Sequence, residues 1–133
     1  MTYVAPLAAA LFLAAPPQSE LNIAVEPGVA IDQRAVRQFL GSCAQLAGHP
    51  GKVTLRIVRP STLNALAPTP AGKIRLGRTY RPKKPGQPSI IYVAKTRGFW
   101  RTLAHEWAHA VDFSGPEHRA DELAERCLNA SAR

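Results

Sequence analysis

Prolines divide this chain into short segments. Six of its twelve prolines lie between Pro60 and Pro88, and nine glycines occur among the 133 residues. Proline ends helices and interrupts strand pairing, so the regular elements must be short. A chain of this length forms about one ordinary domain. Its 46% hydrophobic and 20% charged residues are typical of a folded globule. Any functional site must therefore be built from a few helices and one small sheet.

Hydrophobic periodicity predicts the order of these elements. Asp32 can cap a first helix and Gly48 can end it. The alternating segment 52–59 and the apolar segment 89–95 predict strands. We expect residues 60–88 to be mostly loop, with a short edge strand at 73–80. The three predicted helices are 32–47, 98–113 and a last one to about Ala130. This order predicts a small α+β domain with a short mixed or antiparallel sheet.

An uncharged apolar run from Val4 to Ala15 precedes these elements. It is shorter than the about 20 residues that a membrane-spanning helix needs, but long enough for the apolar part of a signal peptide. We interpret residues 1–19 as a signal peptide cleaved near 15–19, and residues 20–133 as the domain. The protein is then expected to be secreted or periplasmic, without a stable membrane span. A membrane tether and an N-terminal helix packed on the domain are the alternatives.

The two cysteines bear on the same question of location. Cys43 and Cys127 both fall on the apolar faces of predicted helices, so both are expected to point inward. In an oxidising compartment they could form one disulfide. Two buried free thiols are the alternative.

The charge of the chain is strongly segregated. The formal net charge is +8, and the stretch from Gln33 to His105 contains 14 Lys or Arg and no Asp or Glu. Such a field attracts polyanions such as nucleic acid, anionic lipid, wall polymer or acidic protein. We therefore expect a possible anionic partner at the basic region 34–101. A solvated basic face without a partner is the alternative.

The sequence His105-Glu106-Trp107-Ala108-His109 is an HExxH motif. On a helix, residues four apart lie one turn above each other. Two imidazoles at that spacing can hold one zinc ion with Zn–N distances of about 2.0–2.1 Å, and Glu106 can act on the water beside it. Both histidines lie away from the centre of the helix's apolar stripe, so they are not simply core residues. A surface helix with two solvent-facing histidines is the alternative.

A zinc ion held by two histidines needs a third protein ligand. The helical periodicity of the last segment favours Glu117 over His118, because Glu117 lies at the border of the apolar stripe. Asp112 is placed for local contacts, whereas Asp121 can orient a histidine through a hydrogen bond. Ser114 to Glu117 also matches a capping box, in which the glutamate would bond to the start of its own helix. Capping therefore competes with metal binding for the Glu117 carboxylate.

HExxH followed by the E-x-x-x-D pattern of Glu117 to Asp121 resembles the gluzincin metallopeptidases, over about Ser89 to Leu128. The resemblance implies a zincin-like fold and a zinc metalloendopeptidase that acts on peptides or proteins, with metal-activated water as nucleophile and Glu106 as general base. It also implies that the strand Ser89–Lys95 binds extended peptide by backbone pairing. The link between His109 and Glu117 is shorter than in many gluzincins and requires a tight turn.

Some roles and alternatives remain open at this stage. Tyr80, Tyr92 and His49 are possible donors to the oxyanion. An SprT-like, DNA-associated protease would suit the basic region. That class is cytosolic or nuclear and uses a third histidine, so the hydrophobic N terminus disfavours it, and a nucleic-acid partner with it. A secreted basic binding protein without catalytic activity is the remaining alternative.

Overall fold

A four-stranded mixed sheet is the frame of the domain. The computed structural model describes residues 20–131. The strands are β1 (Leu21–Val25), β2 (Val53–Val58), β3 (Gly77–Tyr80) and β4 (Ser89–Ala94), in the spatial order β1-β2-β4-β3. The helices are α1 (Gln33–Ala47), α2 (Pro60–Leu66), α3 (Phe99–Val111) and α4 (Glu117–Ser131). The predicted small α+β class is confirmed, and the sheet is of the mixed kind.

Strand pairing decides which edge of the sheet is free near α3. β1 and β2 are parallel, as are β2 and β4, whereas β3 runs antiparallel to β4. Ile91 of β4 lies opposite Leu55 of β2 on one side and Thr79 of β3 on the other. The expectation that Ser89–Lys95 pairs with a peptide is therefore wrong, because the backbone groups of β4 are used on both sides. β3 is the edge strand beside β4, and β1 forms the opposite edge of the sheet.

The main core lies between one face of the sheet and the helices α1, α3 and α4. Alternate side chains of the inner strands point into it, as expected for a strand period of two residues. The fully buried ones are Leu55, Ile57, Ile91 and Val93. On the opposite face of the sheet, Leu63 of α2 packs against Val58 and Ala94 in a smaller cluster. The core therefore fixes α3 directly against the sheet.

The ends of α1 form as predicted. The Asp32 carboxylate accepts hydrogen bonds from the backbone N–H groups of Arg34 and Ala35, which leaves fewer unsatisfied donors in the first turn. The helix ends at Gly48, whose φ of 95° favours glycine. The Trp107 indole N–H donates to the Gly48 carbonyl over 3.1 Å. This bond ties α3 to the end of α1.

Two elements were not predicted. β1 precedes the first predicted helix, and α2 falls inside the segment 60–88 that was expected to be mostly loop. Pro60 begins α2, a position where proline's missing N–H costs nothing. The predicted signal peptide at residues 1–19 lies outside the described residues. Within residues 20–131, none of the helices combines the length and the apolar character that crossing a membrane requires.

A disulfide joins Cys43 of α1 to Cys127 of α4, across 84 residues of sequence. Closing so long a loop restricts the unfolded chain, which typically stabilises a fold by about 2–5 kcal/mol. We expect the double variant Cys43→Ala/Cys127→Ala to lose about this much free energy of unfolding, measured by urea denaturation. Wild-type protein treated with reductant should shift similarly. An unchanged unfolding midpoint in both cases would contradict this expectation.

Candidate active site

The packing of α3 presents the two histidines of the motif at the border of the core. Leu103, Ala104 and Trp107 of this helix are buried against the sheet and the neighbouring helices. The side chains of His105 and His109 retain 19% and 18% of their exposure. They are thus held by a helix that packs on the core, but still reach its solvent-accessible side.

Three side chains converge at this border. The His105 Nε2 and His109 Nε2 atoms are 3.1 Å apart. Glu117 Oε2 lies 2.9 Å from His105 Nε2, and Glu117 Oε1 lies 3.1 Å from His109 Nε2. One ligand atom from each residue can be chosen so that all lie within 4.8 Å of one another. The geometry therefore brings together the three residues that the sequence suggested as metal ligands.

The donor set fits a zinc ion. Tetrahedral ligands at Zn–N distances of about 2.0–2.1 Å are separated by roughly 3.3 Å, close to the spacing of these nitrogen and oxygen atoms. Two neutral imidazoles that face each other with lone pairs, beside a carboxylate, repel unless a proton or a cation lies between them. Imidazole and carboxylate ligands are also those that zinc accepts in catalytic sites. His105, His109 and Glu117 are thus the residues that would hold zinc.

Contacts around these three residues distinguish their neighbours. The Asp121 Oδ1 atom lies 2.8 Å from His105 Nδ1, the ring nitrogen remote from the convergence point. Asp112 instead accepts hydrogen bonds from the N–H and hydroxyl of Ser114 in the turn between α3 and α4. His118 is exposed. Asp121 is therefore the carboxylate placed to orient His105, and Asp112 serves the turn.

Glu117 is the first residue of α4, and its side chain is 75% exposed. Its carboxylate lies against the two imidazoles, whereas the Ser114 hydroxyl donates to Asp112. The short link before Glu117 forms a tight turn. A Cβ at Gly115 would lie only 2.9 Å from an Asp112 oxygen, so the turn leaves no room for a side chain there. Glycine at this position allows Glu117 to reach α3.

Glu106, the acidic residue of the HExxH motif, is buried on the side of α3 that faces β3. Its Oε1 atom lies 2.7 Å from the Thr79 hydroxyl, which is also 3.1 Å from the Glu106 carbonyl oxygen. Burial raises the pKa of Glu106 above its usual range, although the Thr79 hydroxyl and the two imidazoles favour the ionised form. A carboxylate with a raised pKa suits proton transfer near neutral pH.

Gly77 gives Glu106 the space it occupies. A Cβ at Gly77 would lie 2.7 Å from Glu106 Cγ and 2.8 Å from Thr102 Cγ2. Both distances are shorter than real Cβ contacts. Only glycine therefore allows β3 to approach α3 this closely without moving the carboxylate, so that Gly77 and Thr79 together form a cradle for Glu106.

A cleft of about 290 Å³ opens over these groups. Its walls come from β3 and the segment before it, from α3, from the following turn and from α4. The lining residues are Arg75, Gly77, Arg78, Thr79, His105, Glu106, His109, Phe113 and Glu117. The cluster of His105, His109 and Glu117 and the buried Glu106 carboxylate therefore face one solvent-accessible space.

The three residues considered as oxyanion donors do not line this cleft. Tyr80 and Tyr92 form an edge-to-face pair, and Tyr92 packs on the smaller cluster on the opposite face of the sheet. His49 packs edge-on against Trp107 and accepts a hydrogen bond from the Gly51 N–H. The expectation for these side chains is wrong, because strand alternation and the loop after α1 direct them elsewhere.

The contribution of β3 was missed at the level of sequence. Gly77 and Thr79 are two residues apart, so a strand places both on the face that meets α3. That spacing is the available signal, but it does not indicate which helix the strand contacts.

Comparison of the chain with protein-family models, with curated proteins and with solved structures returned no match.

Proposed function

We propose that this protein is a zinc-dependent metallopeptidase of the gluzincin type. The observation that carries the proposal is the convergence of His105, His109 and Glu117 within 4.8 Å of one another. The buried carboxylate of Glu106 faces the same cleft. Two histidines and a glutamate form a zinc set that leaves one coordination position open, and an adjacent carboxylate supplies the base that hydrolysis needs.

The chain's own residues divide the work of hydrolysis. When bound, zinc supplies Lewis-acid chemistry, which makes water more acidic and polarises a carbonyl. Glu106 accepts a proton from the attacking water, while the water oxygen bonds to the peptide carbonyl carbon. The same carboxyl then returns the proton to the amine as the C–N bond breaks. Thr79 and Gly77 hold the Glu106 carboxylate in place, and Asp121 orients His105 for its role as ligand.

The edge strand β3 is the element suited to bind an extended substrate. It borders the cleft through Gly77 and Thr79, and its outer side pairs with no other strand among the described residues. An extended peptide can add to such an edge by backbone hydrogen bonds. We therefore assign to β3 the peptide-binding role that the resemblance had suggested for β4, the strand that precedes the motif helix.

The alternatives gain less support from the site. An SprT-like protease would need a third histidine, but neither His49 nor His118 lines the cleft formed by the described residues. A non-catalytic basic binding protein gives no reason for a buried Glu106 next to the three converging side chains. The Cys43–Cys127 disulfide supports export to an oxidising compartment. We therefore retain a secreted or periplasmic location as part of the proposal.

Zinc content and hydrolysis test the proposal together. The purified protein should contain one zinc per molecule by elemental analysis and should cleave peptides from a mixed-sequence, fluorescence-quenched library. His105→Ala should lose both properties, because it removes one of three ligands and leaves an open site. Chelation should abolish hydrolysis, and added zinc should restore it.

His118→Ala is the matched control, since His118 is an exposed histidine next to Glu117. It should keep zinc and activity. A wild-type protein that is folded but holds no stoichiometric zinc would refute the proposed metal site. Zinc-loaded protein that cleaves no peptide of the library would refute the peptidase function.

A further inference from the structure

The edge strand β3 has two chemically different faces. Gly77 and Thr79 point toward α3, where they contact Glu106. Because successive side chains of a strand alternate, Arg78 and Tyr80 point to the opposite face of the sheet. Consistent with this, the Arg78 guanidinium lies 5.2 Å from the centre of the Tyr80 ring. Arg78 borders the cleft at the strand edge, and a peptide lying along β3 would meet its side chain on the face away from His105 and His109.

The backbone pattern determines how a peptide would pair with this edge. The Ala94 N–H donates to the Leu76 carbonyl, and the antiparallel ladder alternates from there, so Arg78 directs its backbone groups toward β4. Gly77 and Thr79 consequently direct theirs toward the free edge. An antiparallel peptide that bonds to Gly77 and Thr79 would place one of its residues opposite Arg78 in a non-hydrogen-bonded pair. Side chains lie closer together in such pairs than in hydrogen-bonded pairs.

The charge beside this pairing position is not neutralised. Arg78 and Arg81 are exposed, and neither forms an ion pair with a carboxylate among residues 20–131. The Arg81 guanidinium lies 5.1 Å from the centre of the Phe113 ring, and Phe113 lines the cleft. Two exposed lysines, Lys83 and Lys84, follow in the same loop. The substrate edge therefore presents cations without counter-charge.

The carboxylates within the cleft do not balance these cations. Glu106 is buried against Thr79, and Glu117 lies against the two imidazoles. Arg75, which also lines the cleft, donates through Nε to the Ala67 carbonyl. A partner of negative charge would be complementary to this edge, and opposite charges paired across strands attract.

We infer that the site acts on acidic peptides, with an aspartate or glutamate of the substrate opposite Arg78. This inference rests on the proposed peptidase function and names its substrate class. The exposed Arg78 guanidinium selects the side chain at one position of the peptide. Arg81 and the lysines after it raise the local concentration of acidic chains. The attraction should weaken as salt is added.

A charge-swap experiment tests this pairing. The probes are quenched decapeptides of neutral sequence in which one position at a time carries Asp, Asn or Lys. For wild-type protein, we expect one position where Asp raises kcat/KM about two- to fivefold over Asn, the range for a cross-strand ion pair. Arg78→Glu should prefer Lys at that same position. Arg78→Gln should distinguish little between the three peptides, which keeps the test available if Arg78→Glu fails to fold.

Arg97→Glu is the matched control, because Arg97 is exposed in the loop between β4 and α3. It makes the same change in net charge and should keep the wild-type preference for Asp. Cleavage without preference at any position, or equal shifts in Arg78→Glu and Arg97→Glu, would overturn the inference but leave the peptidase function standing. Absence of cleavage by zinc-loaded wild type would overturn both.

Discussion

Glu106→Gln should retain zinc and lose peptide hydrolysis by about 100- to 10,000-fold in kcat, the usual contribution of general acid–base catalysis. Glutamine has nearly the same shape as glutamate, and its amide oxygen can still accept the hydrogen bond from the Thr79 hydroxyl. The cradle around the side chain is therefore preserved, whereas the proton acceptor is removed. Elemental analysis would measure the zinc, and steady-state cleavage of a quenched peptide would measure kcat.

The control for this substitution is Glu122→Gln, which makes the same chemical change at an exposed position of α4. It should leave both zinc and kcat unchanged. If Glu106→Gln hydrolysed peptides at the wild-type rate, Glu106 would not be the base. If it lost zinc, the effect on hydrolysis would instead report damage to the site.

Local spacing was sufficient to predict the residues of the site that share one helix. His105 and His109 are one turn apart, so their common side follows from helix geometry alone. Glu117 required one more step, the position of its side chain relative to the apolar stripe of the last helix. The structure places one possible ligand atom from each of the three within 4.8 Å of the other two.

The contribution of β3 could not be predicted in the same way. Thr79 lies 27 residues before Glu106, and no periodicity within either segment reports a contact over that distance. It depends on the antiparallel pairing of β3 with β4 and on the packing of α3 over the sheet. Gly77 was likewise unremarkable as one of nine glycines until its distance to the Glu106 side chain was known.

The misassigned peptide-binding strand has an instructive physical cause. β4 was the strongest strand in the sequence because apolar residues occupy nearly all of its positions. Such a continuous apolar run is typical of a strand covered on both faces, in the middle of a sheet. The same apolar run that made β4 easy to predict therefore also indicated a central strand, whose backbone groups pair with a neighbouring strand on each side. Edge strands such as β3 are shorter and more polar, and for that reason they give weaker sequence signals.

β1 and α2 were missed for different reasons. Leu21, Ile23 and Val25 alternate as a strand should, but they closely follow the segment 1–19 that was interpreted as a signal peptide, and no element was predicted before Asp32. α2 begins at Pro60, and the high proline content of the segment 60–88 favoured a loop. Proline excludes the interior of a helix but not its first turn.

Glu117→Gln distinguishes the two roles that the sequence allowed for this residue. A capping box accepts glutamine as well as glutamate, so a capping role predicts wild-type stability and wild-type zinc affinity. Metal binding predicts a different result, because a neutral amide is a much poorer zinc ligand than a carboxylate. Loss of a residue that hydrogen-bonds a metal ligand typically lowers metal affinity about 10- to 100-fold. Because Glu117 would itself be a ligand, we expect its substitution to lower zinc affinity by more than this. Competition with a chelator would measure the affinity, and urea denaturation of the metal-free protein would measure stability.

The variant His118→Gln serves as the control, since it changes an exposed residue of the same helical turn. Glu117 contacts both imidazoles, at 2.9 and 3.1 Å, so only its substitution should release zinc. If Glu117→Gln kept the wild-type affinity and His118→Gln lost it, the third ligand would be His118. The site would then resemble those that use three histidines. If neither variant lost zinc, the metal would be held without the first turn of α4, and the tight turn at Gly115 would need another explanation.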